Sequence, residues 1–136
     1  MKIDNRDVFE QLGNLFYSIA IEQHVKPLEI GELKMLISKD WPPRNLDENK
    51  SIVSDETHFM ILTIDALQGS QTSAKDAFLQ FSKFYSIHSE IFSADLKQRI
   101  VDTATKITRI FGVHNPSENA NLINLKNLFK GIGIGV

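Results

Sequence analysis

His24, Glu29 and Glu32 are the residues whose types and spacing best suit an ion. One imidazole and two carboxylates in a short stretch offer a divalent cation mixed nitrogen and oxygen donors. The competing reading needs no ion. Pro27 has the fixed φ that suits the first position of a helix, and Glu29 then falls in the first turn, where the helix dipole stabilises a carboxylate. His24 would cap and hydrogen-bond at the surface. The sequence contains no EF-type loop and no His-Glu-x-x-His pair, so no cofactor is implied and a divalent metal at this turn stands as the alternative.

Asp65 is the other polar group of interest, as the one charge within the apolar run Phe59 to Leu67. A carboxylate buried without partners is too costly to persist. Asp65 therefore lies on an exposed strip near Gln68, or it is buried against a cation or donor from a neighbouring helix. His58 and Asp55, three apart, suit a local ion pair or half of a metal site. Patterns for nucleophilic catalysis, phosphate cradling and dinucleotide binding are absent. The Phe78, Phe81 and Tyr85 stripe has helical spacing and reads as core, although such a row of rings is also what a base-stacking surface needs.

These side chains must be held by helices. Phe9, Leu12, Leu15, Phe16, Ile19 and Ala20 recur at spacings of three and four, predicting a helix over 4–23. A second helix opens at Pro27 and stops before Trp41-Pro42-Pro43, because the residue before a proline is pushed out of the α region. Residues 41–53 form the longest loop, and Trp41 reads as a packed corner. Ser54 caps a third helix, apolar nearly all round and so expected to be the most buried, closed by Gly69-Ser70. Ser73 and Ser93 cap the fourth and fifth helices. In the fifth, Asp95/Arg99 and Asp102/Lys106 are set as acid-before-base pairs four apart. Asn115 and Pro116 start a sixth that ends at Lys130-Gly131.

The whole is an all-α, single compact domain of about six helices over residues 1–130, with a Gly/Ile-rich tail at 131–136. A chain of 136 residues buries enough surface to fold without staples, and it has no cysteine. The charged opening Met1 to Asp7 lacks an apolar signal core, and no run approaches the ~20 apolar residues of a membrane span. The expectation is a cytoplasmic protein. Its formal net charge of −2 gives no global reason to expect nucleic acid. Acidic residues gather at Asp47 to Asp65 and basic ones at Lys97 to Lys130, as solvated helix faces or as a steering surface.

Two passages share one design. Ile19 to Ile37 runs through His24, Pro27 and Glu29, and Ile107 to Leu128 runs through His114, Pro116 and Glu118. The first, Leu15-Phe16-Tyr17-Ser18-Ile19-Ala20 leading to Pro27-Leu28-Glu29-Ile30-Gly31-Glu32-Leu33, resembles the opening of the tellurite-resistance TerB-like helical domain. That domain is related to the N-terminal region of a membrane-associated DnaJ-like protein. The second passage is similar to the repeat in the family's later half. The resemblance implies a duplicated helical hairpin and a non-catalytic domain in bacterial stress-response or membrane-linked assemblies. In the family the first turn carries an Asp-Gly pair associated with ions. Glu22-Gln23-His24 and Gly112-Val113-His114-Asn115 stand there in this chain, so only Glu29 and Glu118 match by position. The function expected from the sequence is a non-catalytic interaction or adaptor module with a protein partner, a second copy of the chain included. Ion or small-ligand binding at the first turn is the alternative.

Overall fold

The structure, a computed structural model, describes residues 5–21, 30–41, 55–110 and 120–131. These residues form six α-helices, α1 (Asn5–Ile21), α2 (Ile30–Asp40), α3 (Asp55–Gly69), α4 (Ala74–His88), α5 (Ala94–Ile110) and α6 (Ala120–Phe129), with one 3-10 turn at Ser89–Ile91. No strand occurs among them, and the domain is all-α. The caps at Ser73 and Ser93 form as the sequence predicts. Ser73 Oγ accepts from the Asp76 amide and Ser93 Oγ from the Leu96 amide, both at 3.1 Å. Pro27, Pro42, Pro43, Ser54, Asn115, Pro116, Glu118 and the tail from 132 lie outside the described residues.

The central helix is α1, not α3. Residues 12–20 of α1 are buried without interruption, because α3, α4, α5 and α6 all pack on that helix. Among the described side chains of α3 only Met60, Ile64 and Leu67 join Thr57 in the interior, while Leu62, Asp65 and Ala66 are exposed. All-round apolarity shows that a helix can be enclosed; the number of neighbours decides whether it is. The crossing of α1 and α3 is close because Gly13 has no side chain. A Cβ there would stand 2.9 Å from both the Met60 carbonyl oxygen and Thr63 Cβ.

At its far end α3 closes at Gly69 as expected, and the left-handed residue that follows is Gln71. The Thr72 amide donates to the Leu67 carbonyl at 3.0 Å and the Gln71 amide to that of Gln68 at 3.1 Å, with Gln71 in the left-handed region at φ 55°. This is the Schellman pattern, with glutamine in glycine's usual place. Tyr17, buried in α1, donates to the Thr72 carbonyl at 2.8 Å and so pins the turn to the central helix. Burial pushes its phenol above its ordinary pKa. Phe78, Phe81 and Tyr85 of α4 are buried as expected and make a cluster of rings with Phe92 and Phe129. Lys97 lays its ammonium over Tyr85 and Phe129. Gly131, at φ 76°, ends α6 with its amide on the Leu128 carbonyl.

Candidate functional site

An open cleft of about 440 Å³ lies where α1, α3 and α4 meet. From α1 come Arg6, Glu10, Gln11 and Asn14; Leu62, Thr63, Ala66 and Leu67 of α3 form the opposite wall, and Ser70 and Gln80 close the end. Its size falls within the ~300–1,000 Å³ of small-ligand sites. Its chemistry is mixed. Three carboxamides and two hydroxyls supply donors and acceptors beside an apolar strip, and Arg6 and Glu10, 3.7 Å apart one helical turn from each other, offset one another in charge.

Asn14 is the central group of this site. It is only 5% exposed although it lines the cleft, and its Nδ2 donates to Gln11 Oε1 at 2.9 Å. Among the described residues no donor meets its Oδ1. A buried amide oxygen in that condition costs on the order of 1–3 kcal/mol. Leu62, on the α3 wall of the same cleft, is 50% exposed.

The residues singled out from the sequence are described only in part. Glu32 is exposed in the first turn of α2, and its expected companions His24 and Glu29 lie outside the described residues. No group of three or more His, Asp or Glu side chains suited to a metal occurs among the described residues. Asp65, whose side chain is 46% exposed, accepts from Lys34 Nζ at 2.8 Å across the α2/α3 contact. It lies on the outer strip of α3 and also holds a cation of a neighbouring helix. The exposed His58 lies beside Phe59, and His88 packs its ring 4.8 Å from that of Phe84.

Sequence reasoning missed a second polar constellation, at the C-terminus of α2. Asp40 accepts from Thr103 Oγ1 and from Lys106 Nζ, both at 2.9 Å. Trp41, 1% exposed, donates from its indole to Thr103 Oγ1 at 3.0 Å, and its carbonyl accepts from Thr57. Arg99 donates to the Asp40 carbonyl at 3.1 Å and lays its guanidinium 3.9 Å from the Trp41 ring centre. The cations expected to pair within α5 thus turn toward α2, where they complement the negative end of that helix. Asp102 takes its hydrogen bond from Gln98 instead. Every polar group here that burial would penalise has a partner, so the constellation acts as a clamp between helices.

Of the two constellations, only the cleft combines access from solvent with a buried polar atom left to satisfy. It can hold an uncharged ligand by hydrogen bonds and apolar contact. No helix among the described residues is long and apolar enough to cross a membrane. The chain matches no protein-family model, no curated protein and no solved structure.

Proposed function

We propose that this chain is a non-catalytic interaction module, a TerB-like helical scaffold of the cytoplasm that docks a protein partner in the cleft between α1, α3 and α4. The observation that carries the reading is Asn14, buried on α1 and lining the cleft with a carboxamide oxygen that has no partner among the described residues, in a cleft whose α3 wall carries the exposed Leu62. Apolar surface beside unsatisfied hydrogen-bonding groups is what a docking pocket supplies to its partner. The TerB-like part of the proposal is supported by the two Pro-x-Glu passages.

A photo-crosslinking amino acid at Ala66, on the cleft wall, tests this in cells that make the protein. The expected result is one discrete crosslinked partner, lost when Leu62→Asp is added and retained with Ile87→Asp, about two helical turns beyond Gln80 on α4. Leu62→Asp should leave the folding stability within roughly 0.5 kcal/mol, being an exposed position. A crosslink indifferent to Leu62→Asp, or a substrate turnover lost with it, would overturn the reading.

A further inference from the structure

We infer that the cleft recognises an extended, uncharged stretch of polypeptide, pairing its backbone amides with Asn14 and Gln80 and seating an aliphatic side chain on Leu62 and Ala66. The inference rests on the partner-docking reading above and names what part of a partner is held.

The match is one of group to group. A peptide unit presents one N–H and one C=O, and a side-chain carboxamide presents the same two functions. Asn14 has given one of its N–H groups to Gln11, which leaves an acceptor and a donor fixed in orientation by burial. A carboxamide held in this way meets a backbone amide without first losing rotamer freedom. Gln80, exposed on α4, offers the second carboxamide at the end of the cleft.

Charge points the same way. The two ionisable groups on the cleft wall, Arg6 and Glu10, form a pair at 3.7 Å and present no net charge to a ligand. A charged side chain brought there gains no opposite charge and loses its hydration. Leu62 and Ala66, four apart on α3, lie one turn from each other and form an apolar strip of side-chain size. A backbone with an aliphatic side chain satisfies both halves of the site, which a phosphate, a sugar acid or a basic peptide does not.

The test uses random heptapeptides displayed and selected on the full chain, with the recovered sequence synthesised with blocked ends. Its affinity is then measured by calorimetry for the unaltered protein, for Leu62→Ala and Gln80→Ala, and with each peptide amide in turn N-methylated. An uncharged sequence with an aliphatic anchor is expected. At least one N-methyl group should weaken binding by about tenfold, as one lost hydrogen bond does, and binding should shift the NMR signals of the Asn14 side-chain amide. Gln80→Ala should weaken binding several-fold without altering the fold.

If every N-methylated peptide binds within about twofold of the parent while Leu62→Ala still weakens it, backbone pairing is wrong and partner docking survives. Selected peptides anchored by Lys, Arg, Asp or Glu would overturn the inference in the same way. If peptides bind with no response at Asn14 or Leu62, and the Ala66 crosslink is also missing, both readings fall together.

Discussion

Asp40 and Asp65 are both aspartates bonded to a lysine at 2.8–2.9 Å, and burial separates their worth. Asp65 is a surface partner, and such pairs contribute about 0.2–1 kcal/mol. Asp40 has a side chain only 14% exposed and also serves the buried Thr103 hydroxyl. Urea unfolding should therefore show Asp65→Ala losing less than about 1 kcal/mol and Asp40→Ala roughly 1–3 kcal/mol; equal losses would remove the distinction. Tyr17 gives a prediction in pH. Because burial raises its folded pKa above the ordinary 10.0, the unfolded chain loses the phenolic proton first. Its contribution is fully present below about 10 and is lost as pH rises through the folded-state value. Tyr17→Phe should cost about 0.5–1.5 kcal/mol at neutral pH, and the stability of the variant should fall less steeply above pH 10. At this scale the sequence marked Asp65 by its apolar neighbours. It passed over Asp40 and Asn14, because the groups that give Asp40 its role lie 59–66 residues away and Asn14 reads locally as one more polar position.

Among the elements, helices were legible because their signals are local: apolar periodicity for α1, α4 and α5, and caps at Ser73 and Ser93 formed three residues from their partner amides. The rank of the helices was not legible. An enclosed helix needs neighbours, and neither the four helices around α1 nor the approach at Gly13 leaves a trace in spacing. The glycines test this. Gly31→Ala meets open space and should stabilise by about 0.4–1 kcal/mol. Gly13→Ala gains a similar ~1 kcal/mol of helix propensity, but its Cβ meets the Met60 carbonyl at 2.9 Å, a backbone atom that cannot swing aside. Overpacking of ~1–3 kcal/mol then outweighs the gain. Thermal melts should move in opposite directions for the two variants, and a raised Tm for Gly13→Ala would contradict the tight α1/α3 crossing.

Across the whole molecule, α1 is enclosed by α3 to α6, and α2 packs chiefly on α3 and α5. Trp41→Ala removes the largest fully buried side chain and should cost about 3–5 kcal/mol, a large share of the ~5–15 kcal/mol that holds a domain together. A denaturant midpoint unchanged by that substitution would dissociate the clamp from stability. The cleft too belongs to this scale: its walls come from three helices, so its position could not be read from any one stretch of sequence. The clamp carries one more consequence. Helix α2 has 11 residues, too few to persist alone in water, and its last carbonyl and its tryptophan are tied to side chains on α5, with Thr103 lying 62 positions beyond Trp41. Deuterium should therefore enter the α2 amides in step with those of α5 rather than by fraying from the nearer end, and Thr103→Val should speed α2 exchange while leaving the centre of α1 protected.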